Sequence, residues 1–152
     1  MGPEAKLKEL GIDLPDIPKP LGSYLPYVQT GNLVFISGML PLKEGRLISA
    51  GIVGSDITQE EAAAAARTSA INGLAVLRSA LGSLDLVKRC VKITVYVASA
   101  PGFIAQPVVA NGASDLLFAV FDEKGRHARA AVGVNLLPMN SPVEIELVFE
   151  AE

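Results

Sequence analysis

Apolar residues recur in this chain at two periods, and the change from one to the other marks out its elements. Alternation is clearest over Cys90 to Ala98. There Val91, Ile93, Val95 and Val97 predict an apolar strand face, and Lys92, Thr94 and Tyr96 a mixed one. Leu33-Val34-Phe35-Ile36-Ser37, rich in β-branched and aromatic residues, predicts an earlier strand entered from a Gly31-Asn32 turn. Ala130 to Leu137 and Val143 to Phe149 predict two more, separated by Pro138-Met139-Asn140-Ser141-Pro142.

The longer period predicts two main helices. Thr58-Gln59-Glu60-Glu61 is a capping box, in which the Thr hydroxyl and a Glu carboxylate satisfy free N–H groups reciprocally. The helix it opens runs to about Leu81, with Gly82 as its stop and Ala63, Ala66, Ala70, Leu74, Leu77 and Leu81 as its apolar face. Its Ala-rich first half can lie very close to a sheet. Gln106 to Phe121 is the second helix, with Pro107 at its start and Gly112 as an internal weak point. Glu4 to Leu10 predicts a short helix ended by Gly11, and Asp13 to Pro20 an extended, proline-broken connector. Residues 1–20 thus read as an N-terminal extension to one domain over 21–152. Leu42 to Val53 is an excursion turning at Glu44-Gly45, and Asp122 to His127 a polar turn.

The order strand, helix, strand, helix, strand, strand implies an α/β or α+β layer with both helices on one sheet face. The other face must meet water or another chain. The one apolar and one mixed side of the Cys90 strand favour subunit packing there.

Composition narrows the function. A chain of 152 residues, 50% hydrophobic, suits one compact domain with a sizeable core. Thirteen Lys+Arg against sixteen Asp+Glu give a net charge of −3, with few aromatics and no Trp. That balance weighs against nucleic-acid and membrane surfaces, which need basic patches, and against a base-stacking platform. Cys90 stands alone, so no intramolecular disulfide forms and a reducing compartment is expected. With no signal-like N-terminus and no apolar run of membrane-span length, a cytoplasmic protein is expected.

No metal-ligand spacing, phosphate-cradling glycine loop, nucleophile elbow or dinucleotide fingerprint is present. Ser37-Gly38 reads as the end of a strand rather than a nucleophile. His127 reads as an exposed turn residue, and Cys90 as a buried small hydrophobe. Arg126-His127-Ala128-Arg129 differs, because a cationic cluster runs straight into an apolar strand. Arg129, at the first strand position, can project from the sheet edge and grip a carboxylate through two parallel hydrogen bonds. An ordinary surface or interface ion pair is as good a reading. Glu144 has the same placement on the next strand, where a solvated surface carboxylate is the alternative. Tyr24 and Asn111 carry no signal by themselves.

Taken together, Gly22-Ser23-Tyr24, Val34-Phe35-Ile36-Ser37-Gly38, Asn111, Ala128-Arg129-Ala130-Ala131-Val132, Leu137-Pro138 and Val143-Glu144-Ile145-Glu146 resemble the RidA/YjgF family, also labelled "endoribonuclease L-PSP". The match runs from about Leu21 to Phe149. The resemblance implies an α+β, chorismate-mutase-like fold whose last strand lies between the first and second, antiparallel to both. It implies a homotrimer with ligand clefts between subunits, and no metal or cofactor. Enzymes of the family hydrolyse reactive 2-imino or enamino acids to 2-keto acids and ammonia, as 2-iminobutanoate/2-iminopropanoate deaminases do. By the same resemblance Arg129 would hold the substrate carboxylate and Glu144 would position or activate water. Tyr24, Ser37, Gly38 and Asn111 would line the cleft. Many deaminating members carry proline two residues before the arginine and cysteine two after it, where this chain has His127 and Ala131. Met39-Leu40-Pro41 follows Ser37-Gly38, where a polar residue is common. The chain looks like a divergent subgroup.

Geometry adds an expectation. Arg129 and Glu144 begin antiparallel strands, and at ~3.3 Å per residue they would sit roughly 20 Å apart at opposite ends of one sheet. A site would then take Arg129 from one subunit and Glu144 from its neighbour. The rival readings are a non-catalytic carboxylate binder or metabolic sensor, which needs Arg129 but not Glu144, and a ribonuclease or translation inhibitor, against which the charge weighs.

Overall fold

The computed structural model describes residues 1–17, 19–20 and 22–152; Pro18 of the expected connector and Leu21, the expected start of the domain, lie outside the described residues. Among them run helix α1 (Pro3–Glu9), strands β1 (Tyr27–Thr30), β2 (Leu33–Met39), β3 (Leu42–Lys43) and β4 (Arg46–Leu47), then helix α2 (Gln59–Leu81). Strand β5 (Val87–Ala98), helix α3 (Gln106–Phe121), strand β6 (Ala128–Val134) and strand β7 (Val143–Ala151) follow. The main sheet has the order β1-β2-β7-β5-β6. β7 is antiparallel to both β2 and β5, and β6 is parallel to β5. The last strand therefore lies between the first and second long strands, as expected for a chorismate-mutase-like α+β fold.

Local chemistry explains the helices. Thr58 Oγ1 accepts the N–H of Glu61 at 3.1 Å, and Gly82 closes α2 at φ 86°. The helix α2 packs over β7 and β2, and α3 over β5 and β6, on one face. The helices touch each other where the side chains vanish. A Cβ added at Gly112 would lie 2.0 Å from the carbonyl oxygen of Ala63, so only glycine allows the crossing. The tight approach that the alanines permit is thus to α3. Gly73 brings α2 close to the sheet, since an added Cβ there would meet Leu147 Cδ1 at 2.8 Å. Because α2 is buried from two sides, Ala62, Ala65 and Val76 are enclosed as well, while Ala63 and Leu81 of the expected face are only part-buried.

Several expected boundaries shift. Tyr27–Thr30, not assigned from the sequence, forms edge strand β1 against β2. The excursion after β2 is a small β3–β4 hairpin, with Glu44 at φ 54° and Gly45 at φ 78° in its turn. In β5 the register slips between Cys90 and Lys92. This bulge carries Cys90 into the core and leaves Val91 only half-buried, contrary to the simple alternation. Burial pushes the Cys90 thiol pKa up to about 12, as befits an inert core residue. β6 ends at Val134 rather than Leu137 and begins at Ala128, so Arg129 is its second residue.

The core lies between the helices and one sheet face, with Val34, Ile93, Val95, Ile145 and Phe149 fully enclosed. Leu7 of α1 joins it at 3% exposure. The helix-free face is different. Val28 pairs with Phe35, and Phe35 with Val148, so three apolar residues stand side by side there, with Val28 54% and Phe35 44% exposed. Among the described residues no helix is long and apolar enough to cross a membrane.

Candidate functional site

The sequence-predicted site residues fall into two groups. Tyr24, Ser37, Gly38 and Glu144 share a cleft of about 560 Å³ that Tyr96, Glu146 and Pro138 also line. Arg129 and Asn111 lie elsewhere, hydrogen-bonded to one another beside a groove of about 450 Å³ on the α3 side.

The cleft is built on an irregularity of β2. Ile36 pairs with Leu147 and Met39 with Ile145, so Ser37 and Gly38 together oppose a single residue of β7. The bulge is fastened to the preceding loop: the Ser37 N–H donates to Pro26 O at 3.0 Å, and the Ser37 hydroxyl donates to Leu25 O. Ser37 is engaged structurally, and Gly38 makes room. A Cβ there would lie 2.9 Å from Glu144 Cδ and 3.0 Å from Oε2. The carboxyl of Glu144 is therefore laid along bare backbone. Burial, then the negative charge of Glu146, raises its pKa above the usual carboxylate value. Glu146 in turn accepts the Tyr96 hydroxyl at 2.9 Å. Tyr24 stands at the cleft mouth, 48% exposed.

One side chain missed in the sequence holds the cleft wall. Asn72 of α2, 2% exposed, donates through Nδ2 to Leu40 O at 3.0 Å and Leu42 O at 2.9 Å. It ties α2 to the Leu40 carbonyl of the Met39-Leu40-Pro41 segment and to the Leu42 carbonyl at the start of β3. Only a lone polar residue in an apolar helix stretch could have signalled it.

The groove is built on edge strand β6 and helix α3. Arg129 is level with Ile93, a core residue, so it turns to the helix face. There Nη1 donates to Asn111 Oδ1 at 2.8 Å and to Ser114 Oγ at 3.2 Å. His127 corrects the sequence reading. It is half-buried, with Nε2 2.8 Å from Ser114 Oγ and Nδ1 2.7 Å from Gly125 O. Burial lowers its pKa; the Gly125 hydrogen bond opposes that, and the charge of Arg129 reinforces it. The missed signal was its spacing: two residues before Arg129 at a strand entrance, it faces the same way.

The expected separation of Arg129 and Glu144 is also corrected. Arg129 is level with Ile93 and Glu144 with Tyr96, about 10 Å along the strand at ~3.3 Å per residue. They are not at opposite ends, because short β6 covers only the later half of β5. Instead they occupy opposite faces. Glu144 lies between fully buried Val143 and Ile145, so its side chain leaves on the helix-free side. Among the described residues no group of three or more His, Cys, Asp and Glu is placed to hold a metal ion.

The fold and sequence match known proteins along nearly the whole chain. The family profile described as "YjgF/chorismate_mutase-like, putative endoribonuclease" matches residues 4–151. The chain belongs to the YjgF/chorismate-mutase-like family. Protein TCP17 of Trypanosoma cruzi is 45% identical over 147 residues, 96% of this chain and 92% of that protein. A RutC family protein of Pyrococcus horikoshii is 30% identical over 137 residues, 89% of this chain and 92% of the relative. Among solved structures, the protein Atu1372 of Agrobacterium tumefaciens superposes with a TM-score of 0.92 at 43% identity, covering 99% of this chain and 92% of that one. A Shewanella oneidensis protein reaches a TM-score of 0.96 at 34% identity, covering 99% of both chains.

Proposed function

We propose that this YjgF-family protein binds small 2-imino and 2-oxo carboxylates. It hydrolyses reactive 2-imino or enamino acids to 2-keto acids and ammonia, at clefts formed between the subunits of a homotrimer. The observation that carries this reading is the division of charge between the two sheet faces. Arg129 is held on the helix side and Glu144 on the open side, so no small substrate reaches both within one chain. A neighbouring copy that covered Val28, Phe35 and Val148 would remove exposed apolar surface, and the reading requires that copy to present its own Arg129 to the Glu144 cleft.

The residue types suit the reaction. An imine is already electrophilic, so it needs a fixed carboxylate, an oriented water and proton traffic rather than a covalent nucleophile. Arg129 has Nη1 engaged by Asn111 and Ser114, which leaves its remaining N–H donors for a carboxylate. The raised pKa of Glu144 makes it a better base toward water than an ordinary carboxylate. Water oxygen bonds to C2 as the C=N pair moves to nitrogen. A water proton passes through Glu144 to that nitrogen. The remaining hydroxyl proton then passes to the amino nitrogen, and as ammonia leaves with the C–N pair an oxygen lone pair closes the C=O.

The test generates 2-iminobutanoate in situ and follows its loss with wild type, Arg129→Ala, Glu144→Gln, and the two variants co-assembled. Both variants alone are expected to be inactive and the mixture to regain activity. No acceleration by wild type removes the enzyme reading. Activity lost in Arg129→Ala but kept in Glu144→Gln removes the water role, and failure of the mixture to recover removes the intersubunit site.

A further inference from the structure

Two side chains beside Arg129 have no part in the chemistry above. Ser114 Oγ contacts Arg129 Nη1 at 3.2 Å and His127 Nε2 at 2.8 Å, and His127 Nδ1 contacts Gly125 O at 2.7 Å. The direction of donation along this row is determined from both ends, because a guanidinium only donates and a carbonyl oxygen only accepts. Nδ1 must therefore carry the proton that Gly125 O accepts. In the neutral ring Nε2 is then an acceptor, and the Ser114 hydroxyl supplies its proton. Donating there leaves the lone pairs of Ser114 Oγ to Arg129. The neutral ring completes a row in which every group has one role.

We propose that Ser114 and His127 are positioning residues for Arg129: a relay from the guanidinium through Ser114 and the neutral imidazole to the Gly125 carbonyl holds the anion anchor ready for a small carboxylate. The proposal rests on Arg129 being that anchor. It explains a need that the fold creates. Arg129 stands on edge strand β6 and is exposed, and a free arginine there keeps rotamer freedom that binding would have to remove. Asn111 and Ser114, three apart on α3, present two acceptors side by side. His127 and Arg129, two apart at the start of β6, meet them from the same side of the strand. The helix cannot drift away, because Gly112 seats it against the Ala63 carbonyl.

Burial first, and then the charge of Arg129, favour the neutral form of the ring. Arg129 and Arg126 lie on its own segment, Asp115 faces the groove from α3, and Arg89 and Glu150 lie on its far side. An imidazolium would set a second cation against Arg129 and direct an N–H at an oxygen that already accepts one.

The test has one arm without ligand and one with it. In ¹⁵N NMR of the full chain near neutral pH, His127 is expected as the Nδ1–H tautomer. Slowed guanidinium rotation at Arg129 should be lost in Ser114→Ala and in His127→Ala. Titrated with 2-oxobutanoate, each of these variants should bind about tenfold more weakly, the size of one charge-assisted hydrogen bond. The double variant should bind no worse than either single one. His127→Gln, whose amide oxygen can take the Ser114 proton, should recover most of the affinity, which a general loss of folding would not allow. An Nε2–H tautomer, an imidazolium, wild-type affinity in the alanine variants, or additive losses would each overturn the proposal. Wild type with the expected tautomer and slowed Arg129, but no affinity for 2-oxobutanoate, supports the relay and overturns the carboxylate reading.

Discussion

Gly38 and Glu144 are packed so closely that no side chain fits between them: a Cβ on Gly38 would stand 2.9 Å from Glu144 Cδ. The obstructing atoms belong to the end of a flexible side chain, so the fold can yield and the site cannot. Gly38→Ala is expected to unfold within about 1 kcal/mol of wild type, as surface-accessible changes without core voids do. Imine turnover should fall at least about tenfold as the carboxylate is displaced. Paired denaturation and turnover measurements check this, and unchanged turnover would detach Glu144 from the chemistry.

Burial, and then the charge of Glu146, shift the pH range in which Glu144 can act. Burial and the Glu146 charge both raise the Glu144 pKa, and a base works only when ionised, so activity should fall as pH drops through a value above the ordinary carboxylate range. Glu146→Gln removes the second cause and should move the acid limb of kcat/KM to lower pH. A limb that stays in place would assign it to another group.

Gly112→Ala presses a methyl group onto the Ala63 carbonyl, which is backbone and cannot step aside. The two helices must separate, at a cost of about 3 kcal/mol, the upper end for overpacking. Chemical denaturation measures this. In the same variant Asn111 and Ser114 shift away from Arg129, so 2-oxobutanoate affinity should fall even in the folded fraction.

His127 links stability to pH. Its folded pKa lies below the unfolded value of 6.5, so the unfolded chain binds the proton more readily. Stability should therefore fall as pH drops through 6.5 and level off below the folded pKa. His127→Gln should flatten that segment of the curve, as urea titrations across the range would show. A slope unaffected by the substitution would place its origin elsewhere.

The elements that short-range chemistry governs were legible from the residues. Thr58 and Gly82 bound α2 by satisfying orphan backbone groups, and the Val-rich run of β5 could only be a strand. The family was legible too, because Arg129, Leu137-Pro138 and Val143-Glu144-Ile145-Glu146 sit at a particular spacing. What escaped depended on partners distant in the chain. The bulge at Cys90 arises from pairing with β7, so alternation within β5 could not announce it. The roles of Asn72 and His127 come from Leu40, Leu42 and Ser114, which the fold brings to them.

The sequence by itself determined the order of strands and helices and the family, and it singled out Arg129 and Glu144 as candidate site residues. Only the tertiary structure decided that Arg129 and Glu144 face opposite ways. A strand side chain's face follows from its register with neighbours, and β6 is aligned by β5 while β7 is clamped between β2 and β5. That register splits the candidate site into a cationic groove and a carboxylate cleft, and it places His127 where it can steady the arginine.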